Sequence, residues 1–144
     1  MLARGARKPQ LRDRWQGMIR EKNPSLGDTL ISRPVVSQAL THALSICGYL
    51  FLDPQDEVIL PDLYWGNYRL VFAHGHDATL KTYDTFVDGA YNVAGLKAAL
   101  AEGDIGKKVV VLNFPNNPTG YTCTPEEGTA IRDTLVESAE AGNN

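Results

Sequence analysis

The stretch "VVVLNFPNNPTGYT", residues 109–122, decides the fold class of this chain. Its β-branched start predicts a buried strand, and the prolines, asparagines and glycine that follow predict a tight turn. Asn117 stands directly before Pro118, which restricts the backbone of Asn117 to extended conformations and orients its side-chain amide. Such an amide can donate a hydrogen bond to an oxygen anion. The same composition is also typical of an ordinary loop that contains proline and glycine, so the motif alone leaves both interpretations open.

Strand and helix patterns alternate before and after this stretch. Helices are predicted over residues 11–22, 39–52, 64–75, 92–103 and 125–141, and strands over residues 56–61, 78–83 and 107–114. Residues 33–37 are a further candidate strand or an extended entry segment, residues 84–91 read as irregular, and Gly75 reads as the residue that closes its helix. This order predicts an α/β fold, part of a three-layer architecture, with a mostly parallel sheet and helices on both faces.

Two details of this pattern carry separate expectations. The segment at residues 39–52 is apolar on most faces, so we expect a helix buried against the sheet with Cys47 as a small core residue. Thr124, Pro125 and Glu127 form the pattern of a capping box with proline at the first helical position.

Composition excludes several classes of protein. The chain has 144 residues, of which 43% are hydrophobic and 22% charged, as in a globular domain. Its net charge of -3 favours neither nucleic acid nor an anionic membrane as a partner. No apolar run is long enough to span a bilayer, and the basic start "MLARGARK" lacks the apolar core of a signal peptide. The cysteines and histidines follow no metal-binding spacing, so we expect no metal site. The default expectation is a cytoplasmic protein.

Three segments with ligand-binding features fall where strands pass into helices, which is where open α/β sheets bind ligands. They are "SQALTHALS", "PDLYWGNY" and "NFPNNPTG". The first opens a helix whose free N–H groups suit an anion, and Trp65 in the second suits stacking on a flat ring. Each segment also has a structural interpretation, as a capped helix, a core tryptophan or a turn. Their convergence on one edge of the sheet predicts a ligand site there.

Taken together, the three segments resemble the pyridoxal-phosphate-dependent aminotransferases of class I/II, also called fold type I. "NNPTG" is similar to the family's turn whose asparagine binds the phenolic oxygen of pyridoxal 5'-phosphate (PLP), which implies this role for Asn117. "YWGNY" resembles the segment whose aromatic residue stacks on the pyridine ring, here Trp65. "ALTHAL" resembles the turn that binds the phosphate, with Ala39, Leu40 and Thr41 in the binding positions, although the family usually has glycine or serine at the first two.

The resemblance runs from about Pro34 to the C-terminus and implies two parts. Residues 1–33 are expected to form an N-terminal helix and lead-in, and residues 34–144 the first half of the PLP-binding large domain. In this family, the lysine that forms a Schiff base with PLP lies in a later, serine-rich segment. The lysines of this chain occur in other contexts, at positions 8, 22, 81, 97, 107 and 108. We therefore expect cofactor-binding residues but no catalytic residue within these 144 residues.

The implied activity is transfer of an amino group between an amino acid and a 2-oxo acid, by a homodimer that uses PLP. The chain alone is expected to be inactive. Two alternatives stay open at this point, namely another fold-type I enzyme, such as a lyase or synthase, and a non-catalytic PLP-sensing domain of a regulator. A nucleotide-binding α/β domain is disfavoured because the chain has no glycine-rich phosphate loop.

Overall fold

A computed structural model describes residues 9–144 of the chain. The chain divides into two compact units, with the boundary between Ala43 and Leu44. The basic start at residues 1–8, which includes Lys8, lies outside the described residues. The division into functional parts after residue 33 stays a prediction.

The N-terminal unit contains helix α1 (Pro9–Lys22) and a short 3-10 helix, Pro24–Leu26. Side chains of α1 bind backbone carbonyls of the segment that follows it. Arg20 donates to the carbonyl of Gly27 over 2.9 Å, and Gln16 donates to that of Ile31 over 2.9 Å. No residue in the range 9–43 is buried. Hydrogen bonds from side chains, rather than an apolar core, therefore organise this unit.

Of the two alternatives for residues 33–37, the strand was wrong. This segment has no partner strand among residues 9–144. Pro34 has no N–H to donate to a sheet, and its carbonyl accepts from the side chain of Arg12 over 2.5 Å. The β-branched residues that follow indicated a propensity for extended backbone, and extended backbone forms a strand only where another strand lies beside it.

The C-terminal unit is built on a parallel sheet in the order β2-β1-β5. Its strands are β1 (Glu57–Pro61), β2 (Thr79–Tyr83) and β5 (Val109–Val110). Regular pairing of β5 ends earlier than predicted, although the N–H of Val111 still donates to the carbonyl of Ile59 over 2.9 Å. The prolines further along the segment have no N–H with which to continue the ladder.

Helices cover both faces of this sheet. Successive residues of β1 point to opposite faces, so this strand contributes side chains to the packing on both. Ile59 packs with residues of helices α3 (Val93–Ala101) and α4 (Pro125–Glu140). Val58 and Leu60 pack on the other face with the π-helix Arg69–His74, next to helix α2 (Leu40–Phe51). The predicted α/β fold with a mostly parallel sheet and helices on both faces is therefore confirmed. The predicted capping box is also present, because Thr124 and Glu127 bind each other's backbone at the start of α4.

One local prediction was confirmed and another was wrong. Gly75 is the C-cap of the π-helix, as predicted, although its φ of -81° and ψ of -29° are helical rather than left-handed. Residues 84–91 are not irregular, because β3 (Phe86–Val87) and β4 (Ala90–Tyr91) form an antiparallel hairpin. Asp88 and Gly89 adopt φ values of 51° and 81°. An Asp-Gly pair with positive φ at both residues is the usual two-residue hairpin turn.

Helix α2 forms as predicted, but it is not buried. Gly48 is its one buried residue, and Cys47, expected in the core, is exposed. Leu44 lies against the apolar cluster of Val58 and Leu60, whereas Leu50 is 63% exposed. The helix thus packs one narrow stripe against the sheet, and several of its other apolar residues are exposed.

Candidate cofactor site

Two loops of the C-terminal unit follow the carboxyl ends of neighbouring strands. Residues 62–66, here called the tryptophan loop, follow β1, and residues 113–120, the asparagine loop, follow β5. Because β1 and β5 are parallel, their carboxyl ends meet at one edge of the sheet. The structure thus places the segments of Trp65 and Asn117 on adjacent strands.

The tryptophan loop is fixed to the end of β2 by Thr85, whose side chain is almost completely buried. Asp62 accepts hydrogen bonds from the N–H of Thr85 over 2.8 Å and from its hydroxyl over 2.6 Å. These bonds, chiefly the one from the hydroxyl, hold the pKa of Asp62 below its usual value. The N–H of Leu63 donates to the same hydroxyl oxygen over 3.1 Å. The backbone two residues before Trp65 is therefore held in place.

Asn116 is the buried residue of the asparagine loop, with 7% of its surface exposed. Its side-chain oxygen accepts from the N–H of Thr119 over 3.1 Å and from the hydroxyl of Thr119 over 2.7 Å. Its backbone N–H donates to the carbonyl of Tyr121, and its carbonyl accepts from Gly120, each over 2.7 Å. Its side-chain Nδ2 donates to the carbonyl of Leu63 over 3.2 Å. Asn116 therefore closes its own turn and connects it to the tryptophan loop.

Asn117 differs from its neighbour in both respects. It is exposed, and its side-chain amide has no hydrogen-bond partner among residues 9–144. Gly120 has a φ of 74°, as a tight turn at this position requires. The half-buried Asn113 also has no side-chain partner within that range. Of the three amides in the opening stretch, Asn116 is structural, whereas that of Asn117 is free to bind a ligand.

Trp65 is half-buried and serves partly as a packing residue. Its ring meets that of Tyr68 edge to face, with 5.8 Å between centroids and 85° between planes. It also borders the apolar cluster of Val58 and Leu60. Next to it, a Cβ at Gly66 would meet no atom within 4 Å. The structure therefore keeps one edge of Trp65 in the core and leaves open space at the following residue.

Ala39, Leu40 and Thr41 belong to the N-terminal unit, where α2 begins at Leu40. All three are exposed. Among residues 9–144, the N–H groups of Leu40 and Thr41 have no acceptor, as is usual in the first turn of a helix. Two residues before Leu40, the N–H of Gln38 donates to Nδ1 of His42 over 3.1 Å. This helix start offers unpaired N–H groups to an anion.

The structure thus brings together two of the predicted site elements, Trp65 and Asn117, on loops that share a hydrogen bond. The contributions of Asn116, Thr85 and Asp62 were missed from the sequence. Thr85 lies in the segment that read as irregular, and recognition of the Asp-Gly turn after it was the available signal for ordered structure there. For Asn116, the sequence indicated a turn but not its partner, because Leu63 lies 53 positions earlier.

In the part of the chain from residue 9 onward, no group of three or more His, Cys, Asp or Glu side chains is arranged to hold a metal ion. The same part contains no helix that is both long and apolar enough to cross a membrane.

The described part of the chain thus combines a parallel α/β unit with an asparagine-proline turn beside an aromatic loop, and comparison with known sequences identifies the family. The chain matches the family "Aminotransferase class I and II" over residues 9–139. It therefore belongs to that family, as the resemblance of its motifs implied.

Similar proteins of known sequence include two aspartate aminotransferases. The protein from Bacillus subtilis is 31% identical over 110 residues, which cover 74% of this chain and 26% of that protein. The protein from Musicola paradisiaca is 33% identical over 104 residues, which cover 72% and 25% respectively. The chain thus spans about a quarter of the length of these relatives.

Solved structures agree with this assignment. Aspartate aminotransferase from Thermus thermophilus, in a complex with maleate, matches with a TM-score of 0.73 and 25% identity over 90% of this chain and 33% of that one. An aminotransferase from Anaerococcus prevotii matches with a TM-score of 0.59 and 30% identity over 69% of this chain and 25% of that one. The chain has the fold of part of a fold-type I aminotransferase.

Proposed function

We propose that this chain is the PLP-binding portion of an aminotransferase that moves an amino group between an amino acid and a 2-oxo acid. One observation carries the proposal. The amide of Asn117 is exposed and has no partner among residues 9–144, while its neighbour Asn116 holds the turn and connects it to the loop of Trp65. A turn that is so firmly built around a free amide suits a ligand with an oxygen acceptor.

The chemistry of the available groups fits PLP. The Asn117 amide is a donor for the phenolic oxygen, and the indole of Trp65 is a flat surface for the pyridine ring. The unpaired N–H groups at the start of α2, at Leu40 and Thr41, are donors for a phosphate, which the helix dipole also attracts. PLP, when bound, supplies the electron sink for the reaction.

The residues of this chain bind and orient. Asn117 holds the phenolic oxygen, Trp65 holds the plane of the ring, and the turn of Ala39, Leu40 and Thr41 retains the phosphate. None of these groups is a base that could remove a proton from a substrate carbon. We therefore propose that the proton-transfer group comes from outside these 144 residues and that the chain alone does not transaminate. A homodimer in the cytoplasm remains part of the same proposal.

PLP binding by the 144-residue chain can be measured through quenching of tryptophan fluorescence. Trp15, which is 52% exposed, is replaced by phenylalanine so that the signal reports on Trp65. We expect Asn117→Ala to weaken binding by about 10-fold or more, since a hydrogen bond to a charged oxygen is worth roughly 1.5–3 kcal/mol. Asn113→Ala is the matched control, because it removes another unpaired amide from the same loop and should leave the affinity unchanged.

Two results would contradict the proposal. The first is equal PLP affinity in the Asn117→Ala variant and the parent chain. The second is equal affinity for PLP and for pyridoxal, which lacks the phosphate that the start of α2 would bind.

A further inference from the structure

We propose that Asn116 is a positioning residue that fixes the place of Asn117 relative to Trp65. The inference rests on the proposed function, because it concerns how the chain presents these two residues to PLP. It assigns to Asn116 a role that the turn motif does not require, since closing the turn needs only its side-chain oxygen and its backbone.

In the tryptophan loop, the backbone of Leu63 is held from two sides. Its N–H donates to the hydroxyl of Thr85 over 3.1 Å, and its carbonyl accepts from Nδ2 of Asn116 over 3.2 Å. Thr85 is 2% exposed and Asn116 is 7% exposed, so water has little access to the two side chains that bind Leu63. The backbone that leads to Trp65 is thereby restrained.

The asparagine loop is held by hydrogen bonds that Asn116 itself makes. The side-chain oxygen of Asn116 binds Thr119, and its backbone binds Gly120 and Tyr121. Asn117 lies inside this set of bonds, directly after the residue that makes them. Any displacement of Asn116 therefore moves Asn117 with it.

The tryptophan loop and the asparagine loop share few polar contacts. Within residues 9–144, the bond from Asn116 to Leu63 is the only hydrogen bond between residues 62–66 and 113–120. Binding groups must be held within fractions of an ångström by the residues behind them. The Asn116 amide thus controls the distance between the Trp65 indole, which stacks on the pyridine ring, and the Asn117 amide, which binds the phenolic oxygen.

A positioning role and a purely structural role predict different results. If Asn116 only stabilises the fold, its replacement lowers the affinity for every ligand by the same factor. If it positions Asn117, the loss falls on the contact with the phenolic oxygen. The ratio of the affinities for PLP and for its 3-O-methyl ether isolates that contact, because the ether carries no phenolate charge.

The test uses the full chain with Trp15 replaced by phenylalanine, and it follows quenching of Trp65 by each ligand. Asn116→Ser keeps a side-chain oxygen but loses the amide donor to Leu63, and it adds no charge that could repel the phenolate. Asn116→Thr is a second uncharged variant in case the serine variant does not fold. Ile131→Val, in the apolar cluster on the other face of the sheet from Trp65, is the control for a general loss of stability.

We expect the parent chain to prefer PLP over the ether by about 10-fold or more. Both Asn116 variants should reduce this preference to less than about threefold, although Asn117 is intact, while Ile131→Val should keep it. An unchanged preference in a folded Asn116 variant would overturn the positioning role and leave the proposed function standing. A parent chain that binds neither ligand, or both equally, would instead overturn the proposed function and this inference with it.

Discussion

The two faces of the sheet differ in how completely helices cover them. On the face of Ile59, α3 and α4 contribute Leu96, Leu100 and Ile131, each at most 6% exposed. On the other face, the π-helix is well packed, but α2 leaves Phe51 60% exposed beside a cavity of about 300 Å³ next to β5. We call these the closed face and the open face. An apolar helix pattern therefore does not by itself bury a helix.

A buried polar contact also marks the closed face. On the closed face, the hydroxyls of Tyr83 and Tyr91 meet over 2.5 Å, and burial raises the pKa of both groups. Glu127 accepts from the N–H of Tyr91 and from the hydroxyl of Tyr121, which lies just after the asparagine loop. On the open face, the notable contact is steric, since α2 approaches His76 at Gly48. We therefore expect the closed face to carry most of the stability.

The largest expected difference is between two leucines. Leu96→Ala, on the closed face, should lower the free energy of unfolding by about 2–5 kcal/mol, because Leu96 is 0% exposed and its removal leaves a cavity. Leu50→Ala, on α2, should change it by no more than about 0.5 kcal/mol, because Leu50 is 63% exposed. Urea unfolding measures both values. Similar losses in the two variants would show that the open face is as closely packed in solution as the closed one.

Secondary-structure elements could be predicted from the sequence where the capping residues, the composition and the apolar spacing all indicate the same structure. Helix α4 has a capping box, a proline at its start and regular apolar spacing, and it forms from Pro125 to Glu140. The β-branched run of β1 also lies where expected. The burial of α2 could not be predicted, because periodicity shows which residues share a stripe but not how much surface the rest of the chain provides to cover it.

The candidate site divides in the same way. Trp65 and Asn117 could be found because each stands in a short linear motif next to a strand. The hydrogen bond that joins their loops could not, because one partner is a backbone carbonyl, which every residue has. Only the fold determines that the carbonyl of Leu63 faces Asn116.

The second prediction concerns the steric contact on the open face. A Cβ at Gly48 would lie 2.3 Å from Cδ2 of His76, so Gly48→Ala must displace the imidazole. We expect a loss of about 1–3 kcal/mol from overpacking, which exceeds the gain of up to about 1 kcal/mol from better helix propensity. In a His76→Ala background the clash is absent, and the same substitution should stabilise the chain. Thermal unfolding of the parent chain, the two single variants and the double variant gives the sign of the stability change that Gly48→Ala causes in each background. A stabilising effect of Gly48→Ala in the parent chain would contradict the close approach of Gly48 to His76.

The smallest expected effect is the pH dependence that Glu127 gives to the closed face. Its carboxylate accepts from the N–H of Thr124 over 2.8 Å and from the hydroxyl of Tyr121 over 2.7 Å, and these bonds, chiefly the first, lower its pKa. A carboxyl whose pKa is lower in the folded state stabilises the fold above its unfolded pKa of about 4.3. That stabilisation is lost as the pH falls through the folded value.

Glu127→Gln should therefore cost about 1 kcal/mol at pH 7, since hydrogen bonds to a charged acceptor are replaced by neutral ones. The cost should disappear below roughly pH 4, because the parent side chain is then also uncharged. Glu126→Gln is the matched control, since Glu126 is an exposed acidic residue in the same first turn and tests the helix dipole alone. Urea unfolding between about pH 3 and pH 7 separates the two, because only the Glu127 variant should lose about 1 kcal/mol relative to the parent as the pH rises. If the two variants behave alike, the helix dipole rather than the contacts of Glu127 with Thr124 and Tyr121 sets the pH dependence.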